Sequence, residues 1–248
     1  MKKKKKVAIG RDFMRRTQFK LMEPSDQQLN KPGPPSFFPP HPSLQTLDLP
    51  KPQDIDLADV SLRQAIDDRK SEREFLADQS ISLDALAYLL WATQGVKEAD
   101  QMDAFKTVPS AGARHPLETF LLVQRVEGLD PGLYRYVGPE HQIQNLQAPE
   151  DMAASIAGTT LQPELIQNNA VTFIWSAVAY RMTWRYGDRG YRYIHLEAGH
   201  VGQNLYLASQ AVGCGVCTTA AFNDEDLNRV LGLDGNDHFV VYIGAVGK

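Results

Sequence analysis

Two segments carry the clearest pattern of apolar and polar positions. In residues 191–212, apolar side chains recur at steps of four and three: Ile194, Ala198, Val201, Leu205, Ala208 and Val212. That spacing places them on one stripe and predicts an amphipathic helix. Gly199 and Gly202 cost this helix about 1 kcal/mol each, which is typical of close packing and, less often, of a ligand contact. Residues 171–179 are almost continuously apolar and rich in β-branched and aromatic side chains, which predicts a buried strand.

Residue types at segment ends define further elements. Ser61 with Gln64, and Ser82, are typical N-caps, and Gly95 is typical of a helix end. Strands are predicted at 117–126 and 133–137, joined by the turn GLDPG. The remaining predictions are a short strand in HQIQNL, short helices at 150–157 and 161–168, a strand in GVCTTA, a helix in DEDLNRVLGL with Asp224 as its N-cap, and a last strand in HFVVYIGAVG. Helices and strands do not alternate strictly, so the pattern predicts an α+β fold with a largely antiparallel sheet flanked by helices.

The first 56 residues differ in composition from the rest. Lys2–Lys6 form a basic run that is either a solvated, disordered tail or an anion-binding arm. More than half of the fifteen prolines lie within residues 24–52, which favours an extended, polyproline-like path. This arm is either a disordered linker or, as its phenylalanines and leucines indicate, a segment that lies on its own surface or a partner's. We therefore predict a basic tail and arm over 1–56 and a folded domain over 57–248.

Composition and charge exclude several classes of protein. The chain is 43% hydrophobic and 23% charged, as soluble globular proteins are. A net charge of −4 and a pI near 5.9 provide no field that would attract nucleic acid. No stretch approaches the ~20 apolar residues of a membrane span, and no apolar region of a signal peptide follows the basic run. These features predict a cytoplasmic protein that binds neither nucleic acid nor membrane.

Metal and dinucleotide motifs are absent from the sequence. Cys214 and Cys217 have a CxxC spacing, but no second pair completes a zinc site, and the segment reads as a strand rather than as a helix start. His195 and His200 lie about 140° apart around a helix and do not converge on a metal. Neither GxGxxG nor a P-loop occurs. We therefore predict no metal site and no tightly bound dinucleotide.

Two short segments have a functional interpretation as well as a structural one. RKSER, at 69–73, follows a helix C-terminus, where cations complement the helix dipole. Two arginines, a lysine and a hydroxyl are equally what a phosphate group requires. VPSAGARHPLE, at 108–118, is either an ordinary loop or a stretch whose small residues let the backbone lie against a planar ligand.

Five segments taken in order resemble the nitroreductase family of FMN-dependent oxidoreductases, most closely its SagB-type branch. They are DDRKSEREF, ISLDALAYLLWATQG, TVPSAGARHPLETFLLV, GLDPGLYRY, and the run from YRYIHLEAGH to NRVLGL. The resemblance covers roughly residues 57–248. It implies a nitroreductase-like fold, a homodimer with FMN at the subunit interface, and NAD(P)H as the hydride donor to flavin N5. A small-molecule or peptide oxidant would then react in a ping-pong sequence.

The resemblance also implies roles for particular residues. In the flavin motif, Arg69 and Ser71 would hold phosphate and ribityl oxygens with Lys70 beside them, and Arg73 would lie near flavin N1 and O2 as an electrostatic catalytic group. The segment that approaches the flavin from the other subunit would be Pro109, Ser110, Ala111 and Gly112. The segment whose backbone amide meets flavin N5 would be Thr219, Ala220 and Ala221, the amide being that of Ala220 or Ala221. Lys248 would be a further phosphate contact.

One position departs from the SagB-type pattern. Azoline-oxidising members carry a Lys-Tyr pair where this chain has Arg185-Tyr186. An arginine stays protonated and is a poor general base, so the same azoline chemistry is in question here. Tyr186 is a candidate proton donor or relay, or else a structural residue. Two alternatives stay open beside a small-molecule reductase: an azoline dehydrogenase acting on peptides, and a catalytically silent peptide-binding module.

Overall fold

A seven-stranded antiparallel sheet forms the centre of the molecule. The computed structural model describes residues 8–99 and 104–248, so the basic run Lys2–Lys6 lies outside the described residues. The strands are β1 (Thr46–Asp48), β2 (Val96–Ala99), β3 (Ala104–Lys106), β4 (Leu117–Val123), β5 (Gly132–Val137), β6 (Gln142–Asn145), β7 (Val171–Val178), β8 (Gly215–Thr219) and β9 (His238–Gly247). The sheet has the order β1-β6-β5-β4-β7-β9-β8, and β2 and β3 pair as a separate hairpin. The predicted α+β fold with an antiparallel sheet is confirmed.

Helices cover both faces of the sheet. They are α1 (Ile9–Arg16), α2 (Leu62–Asp68), α3 (Leu83–Gln94), α4 (Met152–Gly158), α5 (Pro163–Gln167), α6 (Ala179–Tyr186), α7 (Gly190–Ala211) and α8 (Asp224–Val230). The larger core lies on the face covered by α3, α6 and α7. A second core lies on the other face, beneath α4, α5 and α8. Because both faces are covered, the central strands β4 and β7 are buried along nearly their whole length rather than at alternate residues.

The predicted helix starts can be checked against their capping hydrogen bonds. The Ser61 and Ser82 hydroxyls accept hydrogen bonds from the amides of Gln64 and Ala85, both at 3.1 Å, so both N-caps are confirmed. The predicted N-cap of α8 is wrong by one residue. The side chain of Asn223, not of Asp224, accepts from the Asp226 amide at 3.1 Å. Asp224 is instead the first helical residue, where its charge still favours the helix N-terminus.

Helix α6, the β2–β3 hairpin and, in the first 56 residues, α1 and β1 were not predicted. Helix α6 follows β7 directly and includes Ala179, which the pattern assigns to the strand. Its buried face includes Arg181, which is 2% exposed and pairs with Glu118 at 2.6 Å. Because Arg181 is charged, the buried face of α6 lacks the regular apolar spacing by which a helix is predicted. The β2–β3 hairpin is also new, because such short strands carry little periodicity.

The proline-rich arm lies on the surface of its own chain. The Gln27 amide donates to the Trp184 carbonyl at 2.9 Å, and the Trp184 indole donates to the Lys31 carbonyl at 3.0 Å. The Arg181 guanidinium donates to the Pro35 carbonyl at 2.9 Å. Further along the arm, β1 adds to the edge of the sheet beside β6. The sheet thus includes residues from before the predicted boundary at 57.

Helix α7 is central to the packing. Its apolar stripe from Ile194 to Ala208 is buried as predicted. A Cβ at Gly202 would lie 2.8 Å from the ring of Tyr242, so this glycine permits close packing onto β9, whereas a Cβ at Gly199 would meet nothing within 4 Å. Within the described residues, no helix has the length and apolarity needed to cross a bilayer.

Candidate functional site

The RKSER segment runs beside β8 and the last residue of the chain. The Glu72 amide donates to the Val216 carbonyl at 2.8 Å, and the Leu76 amide donates to the Lys248 carbonyl at 2.8 Å. These backbone bonds hold residues 69–76 against the edge of the sheet. Arg69, Ser71 and Lys248 are therefore brought together near the C-terminal end of α7, although they are distant in sequence.

The hydroxyl of Tyr206 organises this end of α7. It is hydrogen-bonded to the Ser71 hydroxyl at 2.9 Å and accepts from the Thr218 amide at 3.0 Å. The Thr218 hydroxyl is in turn 2.6 Å from the hydroxyl of Tyr242. The guanidinium of Arg69 lies over the Tyr206 ring, 5.3 Å from its centroid. One aromatic side chain thus positions both a hydroxyl and a cation of the RKSER segment.

The positive charges of this cluster are only partly compensated. Lys70 pairs with Glu72 at 2.9 Å. Neither Arg69 nor Arg73 pairs with a carboxylate anywhere in the described part of the chain. The Lys248 ammonium donates to the Gly213 carbonyl at 2.9 Å, so it caps the end of α7. The Arg69 guanidinium and the Ser71 hydroxyl, both held at Tyr206, are a donor set that can hold a phosphate, and the exposed Arg73 follows two residues later.

The segment after β8 distinguishes two neighbouring amides. The Ala221 amide donates to the Thr219 hydroxyl at 3.0 Å and is therefore used within the chain. Ala220 is exposed, and its amide makes no hydrogen bond within residues 8–99 and 104–248. Of the two candidate donors to a ligand, Ala220 is the one left free.

The PSAG segment packs against α6 rather than against the RKSER cluster. Residues Ala111–Ala113 form a short turn in which Gly112 has φ +60°. A Cβ on Gly112 would lie 2.5 Å from the Tyr186 hydroxyl and 2.9 Å from Nε of Arg185. Both the left-handed backbone and the close approach therefore require glycine. The structure thus brings Arg185 and Tyr186 into contact with PSAG.

Beneath PSAG lies a buried pair that was missed in the sequence. The Ser110 hydroxyl accepts from the His115 amide at 2.9 Å, and Nδ1 of His115 is 3.3 Å from the Glu197 carboxylate. Both side chains are at least 97% buried. Burial lowers the pKa of His115, and the hydrogen bond to Glu197 opposes that shift. Glu197 falls on the buried stripe of α7, three residues after Ile194 and four before Val201, and a carboxylate at such a position is the signal that could have revealed it.

A second buried charge lies nearby. The Lys106 ammonium donates to the side-chain oxygen of Gln94 at 2.6 Å. Desolvation lowers the pKa of Lys106 to about 8, although the carboxylates of Glu118 and Glu197 favour its charged form. Phe37 of the arm lies beside this ammonium, 5.4 Å away at its ring centroid. The core under PSAG is therefore polar, and the arm covers part of it.

Within one chain, the two predicted flavin segments do not face one cavity. RKSER contacts α7 at Tyr206, whereas PSAG contacts it through the Pro109 carbonyl and the His200 ring, which are 3.2 Å apart. His200 and Tyr206 are six positions apart, which corresponds to about 9 Å along the helix axis and about 120° around it. The two segments thus contact different faces of α7.

Comparisons with known proteins give a consistent result. The model of the nitroreductase family matches residues 66–248. A protein of Methanocaldococcus jannaschii named as a nitroreductase is 36% identical over 185 residues, which are 75% of this chain and 88% of that protein. The trifolitoxin-processing protein TfxB of Rhizobium leguminosarum bv. trifolii is 28% identical over 133 residues, which are 52% of this chain and 36% of TfxB.

Solved structures give the same fold. The crystal structure of an Anabaena variabilis protein named as a nitroreductase superimposes with a TM-score of 0.68 at 27% sequence identity, and the match covers 84% of this chain and 42% of that one. The matched region thus spans less than half of TfxB and of the Anabaena chain.

Proposed function

This chain belongs to the nitroreductase family of FMN-dependent oxidoreductases, and from that premise we propose that it transfers electrons from NAD(P)H to a small organic acceptor. The observation that carries the proposal is the cluster of Arg69, Ser71 and Arg73, with two guanidinium groups that no carboxylate of the described chain neutralises. Guanidinium groups that reach solvent without a carboxylate partner are available to bind an anion, and the FMN phosphate is an anion of suitable geometry.

The chain has residues suited to both the phosphate and the isoalloxazine ring of FMN. Arg69 and Ser71 would hold the phosphate, with Lys248 close by. The free amide of Ala220 would donate to flavin N5, and Arg73 would place positive charge beside N1 and O2, a preorganised electrostatic role. When bound, FMN supplies the redox chemistry, accepting a hydride from NAD(P)H and passing two electrons to an acceptor on the same open face, which gives ping-pong kinetics.

We further propose that PSAG reaches the flavin of a partner subunit in a homodimer. The positions of the two segments support this arrangement, because they contact α7 on faces about 120° apart. The small side chains of Ala111 and Gly112 would let the backbone lie flat against the isoalloxazine ring and leave its other face free for substrates.

Spectroscopy and anaerobic reduction test the proposal. Purified protein, or protein supplied with FMN, should show flavin absorption bands near those of free FMN. NADH or NADPH added without oxygen should bleach the bound flavin rapidly, and the faster of the two identifies the physiological donor. A colourless protein that takes up no FMN would refute the proposal. Tight flavin binding without reduction by either nucleotide would instead favour the catalytically silent peptide-binding module.

The similarity to TfxB favours a second candidate function, in which the oxidised substrate is an azoline ring in a peptide. Such a reaction removes two hydrogens from the ring and passes their two electrons to the flavin. Arg185 opposes it, because a guanidinium does not act as a base at neutral pH. A synthetic thiazoline peptide incubated with the FMN-loaded enzyme distinguishes the two functions by mass spectrometry. A product lighter by two hydrogens would establish the second candidate.

A further inference from the structure

A cleft of about 540 Å³ lies between the start of the arm and the end of α6. Its apolar lining comes from Phe19, Met22 and Pro24, and its polar lining includes Arg185 and Tyr186. A space of this size accommodates one substituted aromatic or heterocyclic molecule. The cleft is separate from the RKSER and PSAG segments, and it includes Arg185-Tyr186, the pair that replaces the SagB-type Lys-Tyr.

Arg185 gives the cleft a positive charge that is available to bind a ligand. It is exposed, and its guanidinium makes no hydrogen bond or ion pair within the described ranges. Arg189 also lines the cleft but is already engaged, since Nε donates to the Tyr193 hydroxyl and another nitrogen donates to the Thr17 carbonyl, both at 2.7 Å. Glu23 contributes the opposite charge without pairing with either arginine, so the lining carries a net charge of +1.

The cleft adjoins the segment proposed to contact the flavin. The Tyr186 hydroxyl and Nε of Arg185 both pack on Gly112, as the 2.5 Å and 2.9 Å distances to its hypothetical Cβ show. The Tyr186 ring is held edge-on by Tyr193, with centroids 4.8 Å apart. Its hydroxyl makes no hydrogen bond with the described residues. A ligand in the cleft therefore has a guanidinium and a tyrosine among its lining residues.

We infer that the cleft binds an electron acceptor that carries a carboxylate, held by Arg185. The guanidinium matches a carboxylate in a bidentate, charge-assisted pair. The Tyr186 hydroxyl is a second donor, and Phe19, Met22 and Pro24 cover the apolar body of the acceptor. This inference rests on the proposed function, because it assigns the acceptor of the same redox reaction. It also gives Arg185 a role that needs no deprotonation.

The test compares two acceptors that differ in charge and little in shape, 4-nitrobenzoate and 4-nitrobenzamide, with NAD(P)H as the reductant. In the first two-electron step the nitro group takes up two protons, loses one oxygen as water and becomes a nitroso group. In Arg185→Gln, the KM for 4-nitrobenzoate should rise about tenfold or more, whereas the KM for 4-nitrobenzamide should change little. Glu23→Gln should lower the KM for 4-nitrobenzoate, because it removes a like charge. Equal changes for both acceptors in Arg185→Gln would overturn the inference.

Arg63→Gln is the matched control, because Arg63 is an exposed arginine on α2 that lines no part of the cleft. It changes the net charge equally and should leave both KM values unaltered. Calorimetry with benzoate and benzamide, which are not reduced, gives a second measurement on the purified protein whether or not flavin turns over. Arg185→Gln should abolish a preference for benzoate. A wild-type protein that binds the two compounds equally would also overturn the inference.

These outcomes separate the two hypotheses. Failure of the proposed function appears as a colourless protein, or as bound flavin that NAD(P)H does not bleach. Failure of the acceptor inference appears as a yellow, reducible enzyme that does not distinguish the charged from the neutral acceptor.

Discussion

At the scale of single residues, Arg69 is the clearest candidate for phosphate binding. Its guanidinium stacks on Tyr206 and has no carboxylate partner in the described chain. We expect Arg69→Ala to weaken FMN by about 1.5–3 kcal/mol, or roughly ten- to a hundredfold in Kd, because a charge-assisted contact is lost. Riboflavin lacks the phosphate and should lose far less affinity. Fluorescence titration of both flavins measures the difference.

Arg63→Ala is the control for this titration, since Arg63 lies at the exposed surface of α2. It should leave the affinity for both flavins unchanged. If Arg69→Ala weakened FMN and riboflavin equally, Arg69 would not contact the phosphate, and RKSER would revert to the role of complementing a helix C-terminus.

At the scale of elements, the packing of α7 on β9 depends on Gly202. A Cβ there would lie 2.8 Å from the Tyr242 ring, and the hydroxyl of that ring is held by Thr218 at 2.6 Å. Overpacking costs about 1–3 kcal/mol, whereas replacing a helical glycine by alanine gains about 1 kcal/mol. We therefore expect Gly202→Ala to lower the free energy of unfolding by up to about 2 kcal/mol, as measured by urea denaturation at fixed protein concentration.

Gly158→Ala is the matched control, because a Cβ on this glycine of α4 would meet nothing within 4 Å. It should be neutral or slightly stabilising. A Gly202→Ala protein as stable as Gly158→Ala would mean that the Tyr242 ring moves freely and that α7 does not depend on this contact.

At the scale of the whole molecule, the outward face of α7 is the expected centre of a homodimer. Leu196 is 60% exposed, and space is open beyond Gly199. We expect an obligate interface larger than ~2,000 Å² and, by light scattering at low micromolar concentration, twice the chain mass of 27.7 kDa. Leu196→Asp should dissociate the dimer and lose FMN with it, because a charge would be buried in an apolar interface.

Leu29→Asp is the control for the dimer, because Leu29 is comparably exposed, at 56%, but lies in the arm, away from α7. It should remain dimeric. A monodisperse wild-type monomer that binds FMN tightly would contradict the shared site and, with it, the proposed role of PSAG.

The local elements could be predicted from the amino-acid order alone. The caps at Ser61 and Ser82, the stripe on α7 and the buried strand β7 all follow from interactions between residues a few positions apart, and such interactions leave a period or a short motif in the chain. The fold class followed from the order of these elements. The RKSER and PSAG segments were likewise found from local composition and from their resemblance to a family.

Contacts between residues far apart in the chain became known only from the folded structure. It revealed the pairs His115–Glu197 and Arg181–Glu118, whose charges lie on faces that apolar periodicity assigns to the core. It showed that the Ala221 amide is hydrogen-bonded within the chain, whereas the Ala220 amide makes no hydrogen bond with the described residues. It also showed that Arg185 lines a cleft together with residues of the arm. The reason is physical. A hydrogen bond or ion pair between residues far apart in sequence forms only once the chain has folded, so no spacing in the sequence identifies the two partners.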